Sequence, residues 1–272
     1  MDQMRPAYSD QFTLTRLSRD TVDPSRLEIS PLWAWAGGTG KGIHVAVVDS
    51  GVDANHPAIA GRVERWAAFE QVAEGEIRCT TEPHGDAMGH GTACADIILR
   101  LAPEARIVSV NVMGRKLRGK GPVFAEALRW VVQQPDIQVV NLSLGSTKAE
   151  IAKLFYEISD VAYFRKTILV TAANNMPVQS FPSLYASVLS VACHPGQDPY
   201  EFFYNPTPPP EFGAPGVDIK AAWKDGATLA VTGNSFAAPH ITGLIAKILS
   251  KHPGLTPFEV KTILRATARN AG

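Results

Sequence analysis

Short apolar runs alternate with helix-like segments along most of this chain. Residues 42–48 read GIHVAVV, a compact apolar run that ends at a polar residue and is typical of a buried strand. Similar runs predict strands over residues 105–112, 137–142, 167–172 and 187–192. The intervening and following segments predict helices over residues 91–101, 122–132, 148–164 and 235–251. A Thr-Pro-Phe-Glu capping box at residues 256–259 predicts the start of one more helix.

Strands that alternate with helices predict an α/β fold, with three α/β/α layers around a mostly parallel central sheet. No linker divides the chain, so we expect an N-terminal extension over residues 1–30 and one domain over residues 31–272. In such sheets the ligand site lies outside the carboxyl ends of the strands. Polar residues at those ends are therefore the first candidates for function.

The composition argues against several classes of partner. The 272 residues carry 26 basic and 26 acidic side chains, so no net charge draws the chain toward nucleic acid or an anionic membrane. No apolar run reaches the roughly 18 residues that a membrane span needs. The N-terminal segment has no apolar signal-peptide core, and the three cysteines have no paired spacing, which suits a reducing compartment. We expect a cytoplasmic monomer.

Three polar residues stand at the ends of predicted elements. Asp49 closes a strand in VVDSGVD, His90 lies between two glycines at the start of a helix in MGHGTACADII, and Ser235 opens a helix in GNSFAAPH. A serine hydroxyl becomes a good nucleophile when a base takes its proton and a third group orients that base. An aspartate, a histidine and a serine can supply these three roles.

Each of these residues also has an ordinary structural explanation. Asp49 can be a turn residue before a glycine, His90 a helix-terminal histidine and Ser235 a helix N-cap. A metal site of His84, His90 and Cys94 is a further interpretation, but the spacing fits no standard zinc pattern. We expect Cys94, one turn after His90, to pack behind the imidazole as a small buried residue.

Longer motifs surround the three residues: KGIHVAVVDSGVDANHP, GHGTACADI and GNSFAAPHITG. With these motifs, in the order aspartate, histidine, serine, the chain resembles the subtilisin-like serine peptidases over roughly residues 31–270. NLSLG at residues 141–145 resembles the substrate-binding strand of that family, and AANN at residues 172–175 resembles its oxyanion segment. FGAPGVDI at residues 212–219 matches as well.

The resemblance implies a role for each matching residue. Ser235 would attack the scissile carbonyl, His90 would take and return its proton, and Asp49 would orient the imidazole. Asn175 would donate its side-chain amide to the oxyanion, beside the backbone N–H of Ser235. An extended substrate would pair with the segment of Ser143, Leu144 and Gly145. The other residues implied in substrate binding are Ala172, Asn174, Arg118, Gly119 and Lys120.

The chain departs from the family pattern at several positions. Asn234 replaces the usual threonine before the serine, Ala93 replaces a histidine after HGT, and Asn174 replaces a glycine in the oxyanion segment. Ala58 stands where the family often has a carboxylate, and the chain lacks the long insert after the histidine helix that helps to bind calcium. We therefore expect no cofactor and no tight calcium site, while a weak calcium site stays open.

The resemblance implies a serine endopeptidase that acts on peptides or proteins through an acyl-enzyme. Two other functions stay open: a catalytically silent pseudoprotease that binds peptides, and an esterase. Dedicated processing and general degradation are both compatible with the motifs. The side chain of Asn174 predicts a first pocket that prefers small or polar residues. Arg118 predicts a preference for an acidic residue two to four positions before the cut.

Overall fold

A nine-stranded sheet forms the centre of the molecule in a computed structural model, which describes residues 28–59, 61–113 and 121–271. The strands are β1 (His44–Asp49), β2 (Val63–Ala73), β3 (Glu76–Thr80), β4 (Arg106–Asn111), β5 (Ile137–Leu142), β6 (Ile168–Ala172), β7 (Leu189–His194), β8 (Phe203–Tyr204) and β9 (Phe212–Pro215). Their order across the sheet is β3-β2-β4-β1-β5-β6-β7-β9-β8. Strands β10 (Ile219–Ala222) and β11 (Thr228–Val231) form a separate antiparallel hairpin.

The sheet is mostly parallel, which confirms the prediction from the alternation of strands and helices. Strand β1 pairs in parallel with β4 on one side and with β5 on the other. Strands β6, β7 and β9 continue the parallel order, whereas β3 and β8 pair antiparallel at the two edges. The carboxyl ends of β1, β5 and β6 therefore meet at one edge of the sheet.

Helices cover both faces of the sheet. Within the described part of the chain they are α1 (Pro31–Ala34), α2 (His90–Leu101), α3 (Gly121–Gln133), α4 (Ala149–Phe164), α5 (Asn234–Lys251) and α6 (Pro257–Thr267). The predicted capping box is present at the start of α6, where Thr256 and Glu259 bond to each other's backbone N–H. Helices α2, α3, α4 and α5 match the four predicted segments to within one residue at each end.

Alternate side chains of β1 reach the two sides of the sheet, as the pleat requires. Val45 and Val47 pack into a core shared with α2, α5 and α6. Ala46 and Val48 pack into a second core shared with α3 and α4. Because β1 is buried on both faces, its sequence is continuously apolar, which is why the run predicts the strand.

The elements that the sequence did not predict have mixed polar and apolar residues. Strands β2 and β3 form an edge hairpin whose residues are exposed or partly buried, except for the buried Ala67 and Phe69. The β10–β11 hairpin is short, and three of the four residues of β11 are exposed. Neither hairpin contains a continuous apolar run, so the rule that identified the central strands does not detect them.

Among the described residues, no helix combines the length and apolar character that crossing a membrane requires. The predicted substrate-contact residues Arg118, Gly119 and Lys120 lie outside the described residues.

Candidate active site

The carboxylate of Asp49 and the imidazole of His90 form a direct pair. Asp49 is the last residue of β1 and is fully buried, and His90 is the first residue of α2. His90 Nδ1 lies 2.9 Å from Asp49 Oδ1 and 2.8 Å from Asp49 Oδ2. A carboxylate only accepts hydrogen bonds, so Nδ1 carries the proton and donates it. The backbone N–H of Ser50 donates to Asp49 Oδ1 at 2.7 Å and holds the carboxylate from its other side.

The other ring nitrogen of His90 faces Ser235. With the proton of a neutral imidazole on Nδ1, Nε2 is an acceptor, and Ser235 Oγ lies 3.0 Å from it. The His90 ring also lies against Phe236, with ring centroids 4.9 Å apart. The structure therefore brings Asp49, His90 and Ser235 together, although 145 residues separate the last two in the chain.

Two glycines that flank His90 allow β1, α2 and the β10–β11 hairpin to approach so closely. A Cβ on Gly91 would lie 2.0 Å from the carbonyl oxygen of Gly51, a distance that no side chain tolerates. Gly89 has a φ of 103°, and a Cβ there would lie 2.4 Å from the ring of Trp223. Gly91 is therefore required by a backbone contact, and Gly89 by its positive φ and by the Trp223 ring.

Ser235 occupies the second position of α5, after the helix cap at Gly233. Backbone N–H groups at the start of a helix have no acceptor within the helix and carry the positive end of its dipole. The backbone of Ser235 therefore presents a donor beside its own nucleophilic oxygen. This combination suits the stabilisation of an oxyanion that forms after attack by the hydroxyl.

A proline inside α5 frees the carbonyl group of Ser235. Pro239 lies four residues after Ser235 and has no N–H to donate to that carbonyl. The Ser143 hydroxyl donates to this carbonyl instead, with Oγ 3.1 Å from the Ser235 oxygen. Ser143 Oγ in turn accepts a bond from Asn141 Nδ2 at 2.9 Å, and Thr242 Oγ1 donates to Asn141 Oδ1 at 3.0 Å. The sequence did not reveal this role of the Ser143 side chain.

Asn175 lies beside Ser235 in the loop that follows β6. Its Oδ1 accepts a bond from the backbone N–H of Asn234 at 2.9 Å, which orients the amide. A point 1.5 Å from the Gly233 Cα, where a Cβ would stand, is 3.3 Å from Ser235 Oγ and 3.6 Å from both Nδ2 and Oδ1 of Asn175. The amide nitrogen and the serine oxygen therefore border the same small space.

Asn174 is engaged differently from its neighbour. Its Oδ1 accepts a bond from the backbone N–H of Met176 at 2.9 Å, which closes a local turn. It also lines a cavity of about 370 Å³ together with the Met176–Ser180 segment and Ser183. The Asn174 amide is thereby engaged within its own loop, whereas the Asn175 amide bonds to the residue before Ser235.

Asn234, the residue that replaces the usual threonine, connects three segments of the site. Its Nδ2 donates to the carbonyl groups of Ala173 and Asn174 at 3.2 and 3.0 Å. Its Oδ1 accepts from the backbone N–H of Cys193, in β7, at 2.8 Å. Both amide protons are thereby used, so the side chain holds the oxyanion segment against the start of α5.

The predicted substrate-binding strand continues directly from β5. Sheet pairing of β5 ends at Leu142, and Ser143, Leu144 and Gly145 follow it. Ser146 and Phe181 then exchange two backbone hydrogen bonds of 2.9 and 2.8 Å, which fix the far end of the segment. By contrast, the Ala172 side chain is buried in the core, so this residue can offer a substrate only its backbone.

The environment of His90 shifts its pKa in a definite direction. Burial acts to lower the pKa of the imidazole, but the adjacent Asp49 carboxylate outweighs burial and raises it above the ordinary value of 6.5. Asp49 therefore makes His90 a stronger base.

Cys94 packs beneath this pair, as predicted. Its Sγ is fully buried, 3.9 Å from both His90 Nδ1 and Asp49 Oδ2 and 3.5 Å from the carbonyl oxygen of Ser235. Burial raises the pKa of the Cys94 thiol, so the sulfur stays protonated at neutral pH.

The structure does not assemble the metal site considered from the sequence. His84 contacts the carbonyl groups of Gly85 and Ala67 through its two ring nitrogens. In the described part of the chain, the one group of possible ligands that come together is Asp49, His90 and Cys94. This group is the aspartate–histidine pair with the thiol behind it, and His84 is not part of it.

Comparisons with known proteins identify the family. The model of the subtilase family matches residues 40–272, and the chain belongs to this family. Subtilisin E of Bacillus subtilis (strain 168) is 29% identical over 251 residues, which cover 87% of this chain and 63% of subtilisin E. A subtilisin of Bacillus pumilus is 29% identical over 251 residues and is covered to 87%. The solved structure of S41 psychrophilic protease has 25% identity and a TM-score of 0.70, and the match covers 86% of this chain and 88% of that one.

Proposed function

We propose that the chain is a serine endopeptidase that hydrolyses peptide bonds through an acyl-enzyme on Ser235. The observation that carries the proposal is the position of the His90 ring. One ring nitrogen contacts the buried Asp49 carboxylate, and the other lies 3.0 Å from the Ser235 hydroxyl. Membership of the subtilase family supports the same reaction.

In the first half of the reaction, Ser235 Oγ attacks the scissile carbonyl carbon while His90 Nε2 takes the hydroxyl proton. Asp49 stabilises the resulting imidazolium and stays ionised. Collapse of the tetrahedral intermediate breaks the C–N bond, and the proton on Nε2 passes to the leaving amine. Water then attacks the ester with His90 again as base, which releases the new carboxyl group and restores the serine hydroxyl.

The negative charge on the carbonyl oxygen of the intermediate needs donors that are already in place. We assign this role to the side-chain amide of Asn175, which borders the same space as Ser235 Oγ, and to the backbone N–H of Ser235 in the first turn of α5. The substrate backbone would lie along Ser143, Leu144 and Gly145 by addition of a strand. The cavity beside Asn174 would receive the side chain before the cut.

A fluorophosphonate probe tests the proposal directly because it reacts with an activated serine. Peptide mapping is expected to locate the label on Ser235, and Ser235→Ala is expected to abolish both labelling and cleavage. The loss of turnover would approach the ~10⁶-fold known for removal of the serine from a subtilisin. Ser159→Ala, which changes a buried serine in α4, is the matched control and keeps the label.

The alternatives give different results in the same assay. A pseudoprotease would bind peptides without being labelled, and an unlabelled wild-type protein would contradict the proposal. An esterase would cleave an ester substrate but not the amide of the same acyl group. Matched amide and ester substrates, assayed in parallel, therefore separate this function from a peptidase.

We also propose that the protein works in a reducing compartment and is cytoplasmic. Support comes from Cys79, Cys94 and Cys193, all of which are free. Fractionation of the native host, with a tagged copy and marker proteins for cytoplasm and medium, tests this. Recovery of the tagged protein in the medium would contradict it.

A further inference from the structure

We propose that Asp86 is a positioning residue that holds the aspartate strand and the histidine helix in their reactive relation, an inference that rests on the proposed peptidase function. Asp86 lies four residues before His90, in the loop that leads into α2. Asp86 lies outside the three motifs that surround Asp49, His90 and Ser235. It contacts neither His90 nor Ser235 in any hydrogen bond of the described residues, so it acts through its neighbours.

The Asp86 carboxylate accepts four hydrogen bonds from residues that lie close to Asp49 or His90 in the chain. Ser50 Oγ, from the residue after Asp49, donates to Oδ1 at 2.7 Å, and the backbone N–H of Met88 donates to the same oxygen at 2.9 Å. The backbone N–H and hydroxyl of Thr92, two residues after His90, donate to Oδ2 at 2.8 and 2.7 Å. One carboxylate thereby joins the end of β1 to the first turn of α2.

This carboxylate also does the work of a helix cap. The cap residue of α2 is Gly89, which has no side chain to accept from the first free N–H groups. Asp86 accepts from the N–H of Thr92, and the Ser50 hydroxyl accepts from the N–H of Gly91 at 3.2 Å. A negative charge at the positive end of a helix is favourable in addition to the hydrogen bonds. The cap of α2 is therefore supplied partly by the strand that carries Asp49.

The position of His90 on the first residue of α2 makes this cap relevant to catalysis. If the first turn of the helix moves relative to β1, the imidazole moves relative to both Asp49 and Ser235. A misplacement of about 1 Å can cost on the order of 100-fold in rate. We therefore expect the loss of Asp86 to lower turnover and to leave substrate binding almost unchanged, because the binding segments follow β5 and β6.

Asp86→Asn tests the inference with the least change of shape. Asparagine keeps one acceptor oxygen and puts two donors where the second oxygen accepts from Thr92, so the set of bonds cannot be completed. The expected result is a roughly 10- to 100-fold fall in kcat with KM within about twofold of wild type. Asp96→Asn is the matched control: this buried carboxylate on α2 accepts from Arg100 and from the backbone of Ala222. It is expected to lower stability without lowering kcat.

A spectroscopic readout separates positioning from general destabilisation. We expect the Nδ1 proton that His90 shares with Asp49 to give a low-field proton NMR signal, which Asp86→Asn shifts or broadens and Asp96→Asn leaves in place. Ser50→Ala removes one donor to Asp86, serves as a second variant if Asp86→Asn does not fold, and is expected to change the signal in the same direction. Asp86→Asn with wild-type kcat and an unchanged signal would overturn the inference, as would an equal loss of kcat in Asp96→Asn.

The NMR signal also keeps this inference distinct from the proposed function. If the wild-type protein proves to have no peptidase activity, the proposed function fails, but the His90 proton can still be observed. Its loss in Asp86→Asn would then support the positioning role, and its retention in that variant would overturn it.

Discussion

The backbone N–H of Asn234 donates a hydrogen bond to Oδ1 of Asn175 over 2.9 Å, so the residue before the serine orients the amide of the oxyanion segment. Oδ1 accepts from Asn234, and the Nδ2 donor of Asn175 has no acceptor among the residues that the structure describes. We therefore expect Asn175→Ala to lower kcat by on the order of 10²–10³-fold, the range known for removal of such a donor in a subtilisin. Steady-state kinetics of a peptide substrate measure the effect, with KM expected to change little.

Asn174→Ala is the matched control for Asn175→Ala. Its side chain closes a local turn and lines the cavity, so its loss should alter selectivity among side chains more than turnover. A larger loss of kcat for Asn174→Ala than for Asn175→Ala would show that the two asparagines have been assigned in the wrong order.

Removal of the Ser143 hydroxyl should lower turnover without weakening substrate binding. Ser143→Ala removes the hydroxyl donor to the Ser235 carbonyl and leaves the weaker Cys94 thiol as its donor among the described residues, because Pro239 has no N–H. A buried polar group that loses its hydrogen-bond partner lowers the free energy of unfolding by about 1–3 kcal/mol. The substrate would pair with the backbone of this segment, which the substitution keeps. A rise in KM at constant kcat, measured with the same peptide, would instead place the hydroxyl in substrate binding.

The acidic limb of the pH–rate profile should have its midpoint above pH 6.5. His90 must be neutral to accept the serine proton, and the Asp49 carboxylate raises its pKa above that value. Activity is therefore lost as the pH falls through the raised pKa. Asp49→Asn removes the cause, so the limb should move to lower pH while kcat falls. Asp53→Asn, four residues away and bonded to the backbone of Asp225, is the control that should not move the limb.

Stability should fall between about pH 6.5 and 4 because of His240. Burial lowers the pKa of this histidine to about 4, whereas the unfolded chain binds the proton near pH 6.5. Protonation of His240 in the unfolded chain therefore lowers the free energy of unfolding as the pH falls below 6.5. The loss is at most about 3 kcal/mol and levels off below pH 4. Urea unfolding at pH 7 and 4.5 measures the difference in free energy between parent and His240→Asn, both in a Ser235→Ala background to prevent self-cleavage. The same pH dependence in both proteins would contradict the assignment.

Chelation of calcium should leave the melting temperature unchanged. The connection from α2 to β4 has only residues 102–105, and Ala58 has no carboxylate, so two family contributors to a tight site are missing. Thermal unfolding of Ser235→Ala with EDTA and with added calcium tests this. A difference above about 4 °C corresponds to more than roughly 1 kcal/mol for a domain of this size and would reveal a site that binds in the folded state.

The sequence predicted the parts of the fold that follow from local patterns. Strand β1 is buried on both faces and therefore reads as an apolar run, and Asp49, His90 and Ser235 stand at the ends of such elements. The half-exposed β2–β3 hairpin gave no such run. The Ser143 hydroxyl can donate to the Ser235 carbonyl because a proline removes the helical hydrogen bond of that carbonyl. This helix follows about 90 residues later in the chain. Contacts of this kind depend on how distant elements pack, which a local pattern does not contain.

Helix α5 carries Ser235 and is buried over most of its length: 15 of its 18 residues are buried. Its side chains fill the core on one face of the sheet, so the chain cannot complete that core before residues 234–251 have been synthesised. The same residues deliver Ser235 to His90. The core is therefore completed in the same late step that places Ser235 beside His90, and a ribosome-bound chain that ends before this helix holds Asp49 and His90 without Ser235.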